Sequence, residues 1–230
     1  MKYLTNLILF IASIIYSYHF ELTTTDLVWS FWISSLVLGY SYIVMKLFIQ
    51  QKILFRDYFT KILEVELSNN VILRYIILPL LMVFPTIFLL SFFTIHFGFF
   101  HMGHAIFLGS IFPLDIIGKI DFNFFESPER FSLIVVLVKA FFPLIIMTAI
   151  NDKKLLNVFK SLFVNSHHES RKNHKEMGKL LFYPYIRVIK IHFLIFLTLG
   201  LKSINIHDFW MYFIIFSFLY FPFNDFWKKE

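Results

Sequence analysis

Long apolar runs, each about the length of a membrane-crossing helix, are the feature of this sequence that most limits its fold. Charged segments separate the runs, which cover residues 3–20, 26–48, 72–112, 131–150, 180–201 and 207–223. A helix of about 20 apolar residues crosses the ~30 Å of hydrocarbon in a bilayer and satisfies its own backbone hydrogen bonds there. We therefore predict an all-α polytopic transmembrane helix bundle of about six spans, forming one domain over residues 1–230.

The composition agrees with a membrane setting. Hydrophobic residues make up 58% of the chain and charged residues 16%, against about 45–50% and about 25% in soluble domains. The net charge is +6, but the basic residues flank the apolar runs, where membrane topology explains them. We therefore expect the chain to have the lipid bilayer as its partner and to bind no nucleic acid. Cysteine is absent, which excludes disulfides, thiolate metal sites and a cysteine nucleophile.

The third apolar run is too long for a simple span. A helix over 72–112 would be ~60 Å long, about twice the hydrocarbon thickness. Pro79 and Pro85 can kink it, so its first turns are expected to lie along the interface or to be broken there. The alternative is a break at 96–98, which would give seven spans. The sequence leaves open whether the run forms one helix or two.

The distribution of charge favours six spans. With six, the basic segments 46–74, 151–179 and 228–229 fall on one side of the membrane, and the acidic segments 21–26 and 115–129 fall on the other. Basic loops face the cytoplasm, so both termini are predicted to be cytoplasmic. Helical spans favour the inner membrane of a bacterium. Seven spans would place the most basic loop outside.

Two short segments have an amphipathic pattern. Residues 54–67 carry apolar side chains at helical spacing, with Arg56 and Lys61 on the other face. This pattern predicts a short amphipathic helix at the inner interface. The segment 155–163 has a similar pattern. Residues 165–175 are polar throughout and predict a loop.

Several histidines fall at membrane depth. Counted from the outer ends of their spans, His104 lies ~12 Å deep, His192 ~14 Å and His101 ~17 Å, and His96 is one to two turns further along. Polar groups at this depth are costly and are candidates for function. Imidazole is the commonest neutral metal ligand. If the third and fifth spans are neighbours, we predict that His101, His104 and His192 bind copper, zinc, iron or haem.

Other interpretations stay open. A histidine in a membrane often makes only an interhelical hydrogen bond, which averages ~0.6 kcal/mol. Lys139 lies ~12 Å deep by the same count, so a small permease or proton-coupled carrier is an alternative, as is a lysine that reaches the interface. A third hypothesis is a non-catalytic scaffold, alone or in a homo- or hetero-oligomer. Arg187 lies near the cytoplasmic start of the fifth span and is expected to reach lipid phosphates. An enzymatic activity is left open.

Three segments carry a resemblance to a known family. They are Asp26–Gly39 with its two tryptophans, His96–Phe107 with its three histidines, and Pro184–His192, which joins a Pro-Tyr-x-Arg sequence to an intramembrane histidine. On these residues the chain resembles the bacterial membrane proteins grouped as domain-of-unknown-function family 6498. The resemblance implies the helical membrane fold and supports the choice of His101, His104 and His192. It implies no reaction.

Overall fold

The computed structural model describes residues 2–64, 77–114, 130–163, 182–204 and 206–220. Within these ranges every regular element is a helix, so the predicted all-α class is confirmed. In chain order the helices are α1 (Lys2–His19), α2 (Thr24–Glu64), α3 (Leu78–Ile111), α4 (Arg130–Ala140), α5 (Phe142–Asn151), α6 (Lys153–Phe163), α7 (Phe182–Ser203) and α8 (Asp208–Tyr220).

Among the described helices, three are long and apolar enough to cross a membrane, namely α2, α3 and α7. The predicted span 131–150 is not one straight helix, because α4 and α5 meet at an angle of 71°. Pro143, in the first turn of α5, accounts for this bend. Its nitrogen has no hydrogen to donate to the carbonyl of Lys139, and its ring would clash with that carbonyl in a continuous helix. The helices α1 and α8 are apolar but shorter.

The second helix runs for 41 residues without a break. It begins at a capping box, in which the Thr23 backbone N–H donates to Asp26 at 2.8 Å and the Asp26 N–H donates to the Thr23 hydroxyl at 3.2 Å. The prediction of a separate amphipathic helix over 54–67 was wrong for residues 54–64, because these residues continue α2. No glycine or proline follows Gly39 in the helix to interrupt it. Residues 65–67 lie outside the described ranges.

The other amphipathic segment does form a short helix of its own. This is α6, which buries Leu155 and Val158 and exposes Lys153, Lys154 and Lys160. Its position beside α2 matches the pattern found over 155–163. The polar segment 165–175, predicted to be a loop, lies outside the described residues.

The third helix is continuous from Leu78 to Ile111 and has no break at 96–98. Pro79 stands in its first turn and Pro85 lies inside it. Near this proline the Gln51 amide of α2 donates to the Met82 carbonyl at 3.0 Å and supports the turn that the proline weakens. Residues 72–76 lie outside the described ranges.

The core is organised around α2. In the most apolar stretch of α2, 78% is buried, against 6% in α3. Packed around α2 are α3, α4, α5, α6 and α7, while α1 packs against α5 and α8. Two tryptophan indoles of α2 donate to backbone carbonyls at the α3 side, Trp29 to Phe112, the residue directly after α3, at 2.9 Å and Trp32 to His101 at 3.2 Å. These bonds fix the height of α3 against α2.

Candidate functional site

The third and seventh helices both pack against α2 and contact each other through aromatic and imidazole side chains. His96 of α3 hydrogen-bonds Tyr185 of α7, and eight residues later His104 contacts His192. Because the two contacts occur in the same order along both helices, α3 and α7 run parallel. This neighbouring arrangement is the condition under which the sequence predicted that the histidines would meet.

His104 of α3 and His192 of α7 form a pair. Their ring centroids are 4.1 Å apart, and their Nε2 atoms are in contact. The Nδ1 atom of His104 lies 2.7 Å from the Phe100 carbonyl, and that of His192 lies 2.8 Å from the Val188 carbonyl. A carbonyl can only accept, so each Nδ1 carries the hydrogen and each neutral ring has its lone pair on Nε2. Two lone pairs therefore face each other.

His101 faces a different neighbour. Its ring is buried, its Nδ1 lies 3.0 Å from the Phe97 carbonyl, and its Nε2 lies 3.4 Å from the Ser35 hydroxyl of α2. The ring centroids of His101 and His104 are 6.4 Å apart. The structure thus brings two of the three predicted ligands into contact and directs the third toward α2. Among the described residues no three His, Asp or Glu side chains converge as a metal-ligand set.

A second polar contact lies closer to the start of both helices. His96 Nδ1 hydrogen-bonds the Tyr185 hydroxyl, and Phe92 stacks on the His96 ring. The half-buried Tyr185 ring also makes edge-to-face contacts with Phe97 and Phe100. The sequence identified His96 as polar at membrane depth, but it did not identify Tyr185 as its partner.

Lys139 does not join the histidines. It lies near the end of α4 with an exposed side chain, and α4 packs mainly against α2 and α5. The carrier hypothesis placed Lys139 and the histidines along one path. Its position on the exposed side of α4, just before the bend, gives that shared path no support.

Arg187 points inward, which corrects the expectation that it reaches lipid phosphates. Its guanidinium forms an ion pair with Asp152, and only 13% of the Arg187 side chain and 8% of the Asp152 side chain are exposed. The Tyr183 hydroxyl also donates to Asp152, at 2.5 Å. A charge at a mostly buried position needs a partner, and here the partner is fixed by the joint between α5 and α6.

Sequence reasoning missed Asp152. The residue opens a segment that was treated as a basic loop, although an aspartate directly before a helix is a known N-cap signal. The structure shows this cap, with the Leu155 N–H donating to Asp152 Oδ1 at 2.9 Å. The signal could have located the start of α6, but it contains no information about Arg187, which lies 35 residues later in the chain.

Within the described residues these features define an all-α protein with three helices able to span a membrane and a histidine pair between two of them. The model of a family of unknown function, DUF6498, matches residues 3–219, so the chain belongs to that family. Searches of curated proteins and of solved structures find no match. The segments that carry the resemblance lie on α2, α3 and α7, the three helices that surround the site.

Proposed function

We propose that this protein is a multi-pass protein of the bacterial inner membrane that binds a transition metal ion between His104 and His192. The observation that carries the proposal is the pair of facing Nε2 atoms, since each ring donates its Nδ1 hydrogen to a backbone carbonyl. Two lone pairs in contact repel unless a cation lies between them. A metal ion or a shared proton meets this need, and the carbonyl bonds are those that orient metal-binding histidines elsewhere.

The chemistry of the two residues suits a transition metal ion. Neutral imidazole binds copper, zinc and iron, with bonds of about 2.0–2.1 Å to zinc. Since α3 and α7 contact each other mainly through side chains, a small separation of the two rings admits an ion. A haem would have to lie between rings whose centroids are 4.1 Å apart, so a bare ion is favoured. Two protein ligands leave open positions for water or a substrate.

His101 has a supporting role in this proposal. Its contact with Ser35, together with the bond from Trp32 to its carbonyl, ties α3 to α2 beside the pair. As a third ligand, His101 would have to turn its Nε2 away from Ser35. Substitution of His101 therefore distinguishes a ligand, whose loss weakens binding strongly, from a neighbour, whose loss weakens packing.

The membrane arrangement is part of the same proposal. Six spans with both termini in the cytoplasm require the third and fifth spans to cross in the same direction, and the parallel course of α3 and α7 supports this. On that topology α6 lies on the cytoplasmic side, and the end of α7 lies outside. The basic residues exposed on α6 agree with the positive-inside rule.

Because the chain has no cysteine, thiol labelling can test the topology directly. We expect Asn157→Cys, on the exposed face of α6, to be protected from a membrane-impermeant thiol reagent in intact cells and to react after lysis. Ser203→Cys, exposed at the end of α7, should react in intact cells. Labelling of both from outside would contradict the six-span arrangement.

Metal content is the direct test of the function. We expect the detergent-purified protein, loaded with copper, zinc or iron, to hold close to one ion per chain by elemental analysis. His104→Ala and His192→Ala should each lose it, while the exposed His207→Ala serves as the matched control. Absence of metal in the folded wild type after loading would overturn the proposal and favour a scaffold. A Soret band would identify haem in place of an ion.

A further inference from the structure

Asp152 connects three parts of the chain at the joint between α5 and α6. One carboxylate oxygen, Oδ1, accepts from the Leu155 N–H at 2.9 Å and from the Tyr183 hydroxyl at 2.5 Å. The other oxygen, Oδ2, pairs with the Arg187 guanidinium. Both carboxylate oxygens are therefore engaged, and two of the three partners belong to the first turns of α7.

The same turns of α7 are also held by α2. The Tyr183 ring lies 4.5 Å from the ring of Tyr42, and the ammonium of Lys154 lies 4.7 Å from the Tyr183 ring centroid. The Arg187 guanidinium lies 5.9 Å from the same centroid. The mostly buried ion pair and these ring contacts together restrict both the rotation of α7 and its position along its axis. If α7 rotated or slid, Arg187 and Asp152 would separate, and little water is present to solvate the two charges in place of each other.

Two nearly opposite faces of α7 are used. Tyr183 and Arg187 are four residues apart and share the face that contacts Asp152, while Tyr185 and His192 are seven apart and share the face toward α3. At 3.6 residues per turn the two faces point in roughly opposite directions. An α-helix turns as a rigid body over this distance, so fixing one face fixes the other.

We propose that Asp152, Tyr183 and Arg187 are positioning residues for the histidine pair, holding α7 where His192 meets His104. Arg187 lies only five residues before His192, so a rotation permitted at Arg187 carries His192 with it. The proposal extends the proposed function, on which its metal-affinity consequence rests. Its structural consequence, the placement of α7 against α3, does not depend on any bound ion.

The placement of α7 can be measured between two open positions. A Cβ at Gly109 of α3 or at Gly200 of α7 would meet no atom within 4 Å, so Gly109→Cys and Gly200→Cys can carry spin labels in this cysteine-free chain. We expect Arg187→Gln to shift or broaden the distance distribution between the labels. Asn151→Ala is the matched control, since Asn151 belongs to the same joint but donates to the Leu219 carbonyl of α8 at 3.2 Å.

Metal affinity supplies the second readout. In folded protein we expect Arg187→Gln to weaken metal binding because it displaces His192, by up to about the 10–100-fold that loss of a group orienting a metal ligand costs, and we expect Asn151→Ala to leave it unchanged. If Arg187→Gln does not fold, Arg187→Lys and Tyr183→Phe are measured in its place. Unchanged label distances would overturn the positioning role. If the wild type binds no metal, the proposed function fails, while the label distances still decide the placement of α7.

Discussion

Gly39→Leu is expected to lower the free energy of unfolding by about 3 kcal/mol, because the added side chain would overlap the buried ring of Phe97 on α3. A Cβ at position 39 would lie 2.6 and 2.9 Å from two ring atoms of Phe97 and 3.5 Å from Pro184. Phe97 is fully buried and stacked on Phe93, so its ring cannot move aside without disturbing the core. The stability lost through this overlap should exceed the ~1 kcal/mol gained when a glycine inside a helix is replaced.

Gly109→Leu is the matched control for this experiment. Gly109 lies on α3 where an added Cβ meets nothing within 4 Å, so the substitution should be neutral or slightly stabilising. Reversible unfolding of both variants in detergent provides the comparison. Equal stability of the two variants would contradict the tight contact between position 39 of α2 and the Phe97 ring.

The main helices could be predicted from the sequence because a membrane imposes a length on them. The runs 26–48, 72–112 and 180–201 correspond to α2, α3 and α7, since about 20 apolar residues in succession have few other uses. Where each helix begins and ends was harder to predict. Hydropathy decreases after residue 48, yet α2 continues to Glu64, because apolarity determines where a helix is buried and not where its backbone hydrogen bonds end.

The sequence contains a signal for the bend between α4 and α5 that the prediction of spans from hydropathy did not use. Pro143 lies in the middle of the run 131–150, and a proline at this position interrupts the helix. The apolar residues on both sides average to one span, which hides the break. As a result Lys139 was placed inside a straight helix, whereas it lies on the exposed side just before the bend.

The pairing of His104 with His192 could be predicted by counting residues along the spans. Depth along each span placed His104 and His192 at nearly the same level, and their contact needed only that α3 and α7 be neighbours. The direction of His101 could not be derived in this way. It lies three residues before His104, about 60° around the helix, and which of two neighbouring helices it faces depends on tertiary packing. Its bond to Ser35 shows that α2 is that neighbour.

Asp152→Asn and Arg187→Met are each expected to lower the free energy of unfolding by about 3–5 kcal/mol, since each leaves a mostly buried charge without its partner. Asparagine still accepts from the Leu155 N–H, so the first variant isolates the loss of charge from the loss of the α6 cap. Lys190→Met, at an exposed position on the same helix, should change stability by less than about 0.5 kcal/mol.

The double variant Asp152→Asn/Arg187→Met distinguishes a structural pair from two independent residues. With both charges removed, no uncompensated ion remains, so the combined loss should be clearly smaller than the sum of the single losses. Unfolding in detergent at several denaturant concentrations gives the four free energies of the cycle. Additive losses would mean that the two charges do not interact, and α7 would then need another anchor to keep His192 opposite His104.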